Sequence, residues 1–402
     1  MKNTLKPKVI LSNLFCTALN AVNGCAAVEC QLQRIPIEGK VAVVAVGKAA
    51  SAMMEGVQNK LNGRIQSALV ITKEESNDKS HKWSSIESGH PIPNQKSLDA
   101  GTIFLDFIAN IQKGTTFLAL ISGGASALVE VLPQNIDLVT LQKINKWLLG
   151  SGLAISEMNK IRQSISLIKA GKALNYLAAN KMIQYLISDV EKDDIAIIGS
   201  GLFVAGNQYN FTSEIPNWLK EHIQISPAIA EVSVESHIVA SNEMACQAVI
   251  EHAKKENFIV LYHGQTLYGD VFELAELLAK ELINSKPGIH IWGGETTLVL
   301  PKATGRGGRN QSLALALACI LEDVKGITVL VGATDGNDGS TDDAGAIIDG
   351  FTLQRGKELG LAQDYLDTAD AGTFLAEAGD LLSTGPTGTN VMDIVIALKE
   401  PI

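Results

Sequence analysis

Long hydrophobic runs are missing from this 402-residue chain: none approaches the roughly 18 apolar residues that span a bilayer, so no membrane helix is expected. Basic residues are the minority, 33 Lys and Arg against 43 Asp and Glu, for a net charge of −10. Such a chain does not attract nucleic acid through its overall field, and an anionic ligand must be met by a local cluster of cations and backbone N–H groups. Cysteine is scarce: Cys16, Cys25, Cys30, Cys246 and Cys319 are odd in number and offer no C-x-x-C. Reduced thiols in a cytoplasmic compartment follow. The group at 16, 25 and 30 has no histidine or fourth ligand at zinc spacing. The seven histidines form no H-x-x-x-H pair, and neither a G-x-S-x-G elbow nor a Walker A loop is present.

What is present is a large apolar fraction, 46%, with 36 glycines gathered in short segments. The length suits two or three domains, and the composition supplies a packed core. Near the N-terminus Ser12, Asn13, Thr17 and Asn20 interrupt what would otherwise read as an export signal. Leu11, Leu14, Phe15, Ala18, Leu19 and Val22 repeat at helical spacing, which predicts an amphipathic helix packed on the body. Apolar strands are expected at 41–46, 117–121, 185–188, 195–198, 258–262, 289–292 and 327–331, with helices at 49–61, 271–283 and 313–321. Buried strands alternating with helices imply the α/β class, with parallel sheets covered on both faces. A domain boundary is expected near 235–241, giving 1–238 and 239–402.

Parallel sheets bind ligands at the carboxyl ends of their strands, and here those ends are Gly-rich. Lys48, in Gly47-Lys48-Ala49-Ala50, opens a helix, where the dipole disfavours a cation unless an anion sits between them; a solvated turn lysine is the bland alternative. Ser122-Gly123-Gly124-Ala125-Ser126 is a second strand-to-helix turn, able to converge N–H groups on an oxyanion or merely to bend tightly. Gly305-Arg306-Gly307-Gly308-Arg309-Asn310 places two arginines among glycines before a helix, a pattern suited to bidentate phosphate contacts. Asn310 occupies the position where a dinucleotide fingerprint needs glycine. The acidic loop at 334–343 fails as an EF-hand, with Ser340 and Ala346 where Gly and Glu belong, yet could hold Mg²⁺ or ligand hydroxyls. Thr384, Thr387 and Asn390 crowd a loop suited to ribose or phosphate, while Arg162 and Asp189 add charge elsewhere. His90, in Gly89-His90-Pro91, reads as a structural turn residue.

Together these segments resemble the class II glycerate 2-kinases, a family often labelled hydroxypyruvate reductase. The resemblance is carried by the GKAA turn at 47–50, SGHPIPN at 88–94, LISGGASAL at 120–128, the Arg162 segment at 158–174 and LISDVEKDD at 186–194. It continues through GGETTLVLPKATGRGGRNQ at 293–311, GATDGNDGSTDDAGA at 332–346 and STGPTGTNVMD at 383–393. The resemblance implies a larger Rossmann-like domain, a smaller α/β domain and an active site in the cleft between them. It implies ATP- and Mg²⁺-dependent transfer of a phosphoryl group to the 2-hydroxyl of D-glycerate, giving 2-phosphoglycerate. The family's essential lysine and arginine fall on Lys48 and Arg309.

Phosphoryl transfer needs alignment and cations rather than covalent work from the protein, which suits these residues. On this reading Lys48 and Arg309 meet the moving phosphoryl group. Ser122, Gly123, Gly124, Ser126 and Arg162 hold the carboxylate of D-glycerate or a related hydroxy acid. Gly305, Gly307, Gly308, Asn310, Thr384, Thr387 and Asn390 touch ATP, and Asp189 and Asp335 bind Mg²⁺. Nucleic acid and membrane are not expected as partners, and a homodimer is left open. The chain departs from the family's pattern at 199–206, where an SGPT-type loop is replaced by Gly199-Ser200-Gly201-Leu202-Phe203-Val204-Ala205-Gly206. It departs again at Ala170, Asn94 and Ser312. Two alternatives stand beside the kinase: an NAD(P)H-dependent hydroxypyruvate reductase, and a ligand-binding protein on the same scaffold.

Overall fold

The computed structural model describes residues 6–73, 83–153, 155–178, 181–206, 211, 214–224 and 228–401. The chain divides into two compact units, one of them Gly24–Val239 and the other built from the N-terminal helix and the residues from Ala240 onward. Each carries a six-stranded sheet. Among the described residues no single helix is long and apolar enough to cross a membrane.

In the first unit the strands are β1 (Val41–Val46), β2 (Ile65–Thr72), β3 (Ser84–Glu87), β4 (Thr116–Ile121), β5 (Lys181–Ile187) and β6 (Ser233–Ala240), in the order β3-β2-β1-β4-β5-β6. This is the doubly wound order, whose direction reverses between β1 and β4. β1 pairs in parallel with both β2 and β4, β2 with β3, and β4 with β5. Every residue of β1 is buried, which is why an uninterrupted Val-Ala-Val-Val-Ala-Val can serve as a central strand. Register decides the chemistry: Val46 lies opposite Ile121, so the turns after β1 and β4 emerge level and side by side. The expected strand at 195–198 is corrected. There the Asp194 carboxylate accepts the Ala196 N–H at 2.9 Å, and a 3₁₀ turn, Ile198–Ser200, follows. Apolar run length cannot separate such a buried loop from a strand.

The second unit contains β7 (Val260–Asp270), β8 (Gly288–Thr297), β9 (Ile327–Ala333), β10 (Gly345–Asp349), β11 (Leu381–Leu382) and β12 (Asp393–Lys399), ordered β11-β10-β9-β12-β8-β7. Only β7 and β8 pair in parallel; β8–β12, β12–β9, β9–β10 and β10–β11 are antiparallel. The expected all-parallel sheet is therefore corrected to a mixed one, because β9 reaches β10 without a crossover helix. A core of Leu313, Leu317, Val329, Val331, Val395 and Phe374 packs the helices on this sheet.

The helix Pro7–Val22 buries Leu11, Leu14, Phe15, Ala18, Leu19 and Val22, the stripe expected from the sequence. It belongs to the second unit, which corrects the 1–238 domain for this segment. Thr17 bonds His252 at 2.7 Å, Lys8 pairs with the buried Asp380, and a Cβ at Gly332 on β9 would sit 2.8 Å from the Phe15 ring. Amphipathicity announces that a helix packs; it does not say on which sheet.

Candidate active site

In the first unit the residues after β1 and β4 interlock. Gly47 has φ +135° and donates its N–H to Ile71 O at 3.1 Å, closing β1 against the end of β2. Lys48 N–H then bonds Gly123 O at 2.9 Å, and Ala49 N–H bonds the Ser122 hydroxyl at 3.1 Å. Lys48 thus stands before the helix Ala50–Leu61, at the point where strand order reverses. Gly124 is left-handed, φ +82°, and a Cβ there would lie 2.8 Å from His90 Nε2 and 3.4 Å from Lys48 Cγ. Lys48, His90 and the 122–124 turn therefore share one small space. His90 read as a plain turn residue in the sequence, and nothing in its spacing placed it here.

Ser126 accepts a hydrogen bond from Ser200 at 2.8 Å, tying the turn to the 199–201 loop. Gln163, beside Arg162 on the helix Ile155–Ser164, donates to Ser200 O at 3.3 Å. Arg162 itself is depressed from the ordinary arginine value by burial, and among the described residues no carboxylate pairs with it. A desolvated guanidinium without a counterion is a ready partner for an anionic ligand. Asp189 follows β5, half-buried at the same carboxyl edge of the sheet.

The second unit assembles around Arg309. Its helix begins at Arg309 itself (Arg309–Ile320), four residues earlier than apolar periodicity places it. The buried Asp338 carboxylate caps it, accepting the N–H of Asn310 at 3.1 Å and of Gln311 at 2.7 Å. Arg309 Nη1 bonds Glu295 Oε1 at 2.6 Å, and Nη2 lies 3.7 Å from Asp393 Oδ2. Asn310 Nδ2 donates to Asp393 Oδ1 at 3.0 Å. These groups converge because Asp393 begins β12 opposite both Gly294 on β8 and Ala333 on β9. Sequence reasoning missed Glu295, Asp338 and Asp393 as members of the site, although each stands in a segment it had marked.

Electrostatics follow from burial. Burial pushes Asp393 up to about 7; Arg309 opposes the shift and Glu295 adds to it. Burial also pushes Asp338 up to about 6, against the pull of the Gln311 and Asn310 N–H groups and of Arg309. Burial lowers Arg309, but Asp393, Glu295 and Asp338 more than offset it and hold the guanidinium above its ordinary value. Thr296, Asn310, Gln311, Thr389 and Asp393 each carry a buried side-chain oxygen with no hydrogen-bond partner, all in segments that meet at this end of the sheet. Such a concentration of unsatisfied oxygens is what a bound ligand or ordered water relieves.

The other expected residues fall around the same edge. Gly307, φ +144°, and Gly308 pass close against Gly372 and Asp338, and Gly305 against Asp370, where side chains would collide. Thr387 donates to Thr334 O at 2.6 Å, and Thr334 fixes Met392 and Val391. Asp335 is half-buried after β9 and accepts the Asn337 N–H at 3.2 Å, beside Gly336, whose Cβ would lie 3.0 Å from the Thr384 hydroxyl. Asn390 is half-buried in the same loop.

Comparison with known proteins divides the chain in a similar place, but keeps most of the N-terminal helix with the residues of the first unit. The sequence family described as Domain of unknown function (DUF4147) matches residues 10–233, and the MOFRL family matches residues 288–393. A D-glycerate 2-kinase of Thermotoga maritima is 32% identical over 402 residues, covering 95% of each chain. The chain belongs to the glycerate 2-kinase family. A glycerate 2-kinase of Pyrococcus horikoshii is 31% identical over 396 residues, covering 92% of this chain and 89% of its own. The crystal structure of a Thermotoga maritima glycerate kinase superposes with a TM-score of 0.84 at 30% identity, covering 98% of this chain and 99% of that one. In this glycerate 2-kinase family member the MOFRL match, 288–393, runs from the first residue of β8 to Asp393, and so encloses the whole Arg309 cluster.

Proposed function

We propose that this chain transfers the γ-phosphoryl group of ATP to the 2-hydroxyl of D-glycerate, giving 2-phosphoglycerate. The observation that carries the reading is that, in a chain of this family, each unit sets a cation at the start of a helix behind glycine, Lys48 after Gly47 and Arg309 after Gly307-Gly308. A phosphoryl group in flight spreads charge over three oxygens, and fixed cations stabilise it more in the transition state than in the ground state. Lys48 and Arg309 act on that group. Arg162 and the 122–126 turn take the acid's carboxylate, and the loops at 305–310 and 384–390 face the nucleotide.

Among the described residues no three His, Cys, Asp or Glu side chains form a metal cage. Mg²⁺ keeps most of its waters and needs only one or two carboxylates beside nucleotide phosphates. The half-buried Asp335 and Asp189 suit that partial role and would hold the ion, which neutralises phosphate charge when bound. The test is ADP release with D-glycerate and Mg-ATP, with the product identified as the 2-phosphate. Lys48→Ala and Arg309→Ala are each expected to lower kcat by about 10²–10³. No ADP from the wild type with D-glycerate or any small hydroxy acid would sink the reading.

The reductase reading keeps one observation in its favour, since the first sheet has the strand order of dinucleotide-binding folds. Its first turn is Gly47-Lys48-Ala49-Ala50, however, without the glycines that let a pyrophosphate approach the backbone. Loss of NADH absorbance with hydroxypyruvate is the outcome that would revive it.

A further inference from the structure

Resting on the kinase reading above, we propose that Asp393 is a positioning residue for Arg309: its ionised carboxylate fixes the guanidinium in the orientation that meets the phosphoryl group. Arg309 is gripped from two sides. Glu295, on Nη1, has a side chain 40% exposed, so water screens its pull. Asp393, towards Nη2, has a side chain 3% exposed, where the same charge acts through protein. The buried partner therefore sets the direction.

Hydrogen bonding alone does not explain a carboxylate at this position. Oδ1 accepts from Asn310 Nδ2, and the main-chain oxygen accepts from Asn242 Nδ2 at 2.9 Å. An asparagine would keep both bonds and avoid burying a charge. Oδ2 has no hydrogen-bond donor and faces the guanidinium. What the carboxylate adds is charge directed at Arg309.

The charged groups around Asp393 are Arg309 on its helix, Glu295 on β8 and Asp338 on the loop after β9. Because burial raises Asp393 to about 7, its grip on Arg309 weakens as pH falls through neutrality. The same shift works against stability. Between the ordinary aspartate value of about 4 and about 7, the folded state holds a proton that the unfolded chain has released. Stability due to this group is full below that window and is lost as pH rises through it.

The decisive variant is Asp393→Asn, compared with Glu295→Gln and the wild type in ADP release between pH 6 and 9. Asp393→Asn is expected to lose about 10²-fold in kcat, with the KM for D-glycerate within twofold and without the activity step near pH 7. Its thermal midpoint at pH 8 is expected at or above that of the wild type, and Glu295→Gln is expected to lose less than tenfold. A wild-type kcat across the range overturns the assignment. So does an activity loss that leaves the step near pH 7 intact, or a lowered midpoint at pH 8, since either marks a structural role. If the wild type releases no ADP, the kinase reading falls separately. Calorimetry with Mg-ATP then decides: tenfold weaker binding by Asp393→Asn upholds the positioning role, and equal binding ends it.

Discussion

Replacing Gly47 by alanine tests whether the turn after β1 depends on close approach. A Cβ at this position would lie 2.6 Å from Ser122 O and 2.8 Å from Ser122 C, with the Ser122 hydroxyl closer still. Rotating the hydroxyl away does not help, because it accepts the Ala49 N–H and the main-chain oxygen stays in place. The turns after β1 and β4 must part, and such overpacking costs about 1–3 kcal/mol. A φ of +135° adds strain of about 1–3 kcal/mol for a residue with a side chain. The smaller unfolded-state entropy of alanine returns about 0.4–1 kcal/mol. A net loss of about 1–5 kcal/mol remains, with Lys48 displaced by a fraction of an ångström or more. Calorimetric unfolding should show a lowered transition, and ADP release should fall by about 10²-fold. Gly63→Ala is the matched control, since nothing lies within 4 Å of its Cβ and its φ is ordinary. Adding Ser122→Ala should not rescue Gly47→Ala, because the backbone clash persists. Gly47→Ala with the control's stability and activity would refute the packing argument.

Arg162→Met should raise the thermal midpoint by removing a desolvated cation that no described carboxylate offsets. It should also raise the KM for D-glycerate at least tenfold, and an unchanged KM would remove Arg162 from the acid subsite. Glu130→Gln leaves the buried Lys169 without its ion pair and alters the Ser166 contact. That variant should lose about 3–5 kcal/mol in denaturant unfolding, and a loss below 1 kcal/mol would show that the pair relaxes into solvent.

Legibility in the sequence tracked how local each cause was. The 41–46 and 117–121 segments are uninterrupted apolar runs, so the position of their strands and the turns that follow could be read directly. Lys48 and Ser122 were each legible as a residue following such a run, and the level ends of β1 and β4 bring their turns together. Arg309 was legible as an arginine among glycines, but its partners were not. Glu295 and Asp393 reach it through the pairing of β12 with β8, a non-local event that no window reports. The antiparallel turn from β9 to β10 was hidden for the same reason. The N-terminal helix showed its buried stripe but not its destination, which rests on Phe15 meeting Gly332.

The departure from the family's pattern at 199–206 lands where it can affect selectivity. Gly199, Ser200 and Gly201 hold φ of +58°, +57° and +67°, three left-handed residues in succession. Ser200-Gly201 keep the first two residues of the SGPT pattern, while Leu202 and Phe203, standing where it has proline and threonine, are buried in the core of this unit, Phe203 against Phe104 and Phe117. The backbone that results is held firmly: Ala170 N–H bonds Ser200 O at 3.0 Å, and Gly171 N–H bonds Gly201 O at 2.7 Å. Ala170 stands where the family has glycine, and it too is left-handed, φ +54°. The two departures in the sequence thus meet in the structure, where Ala170 bonds the 199–201 turn. Its link to the acid subsite is the Ser200–Ser126 hydrogen bond. A change in preferred hydroxy acid relative to the family should therefore follow substitution at Ser200 before it follows substitution at the cations, which serve the phosphoryl group whatever acid receives it.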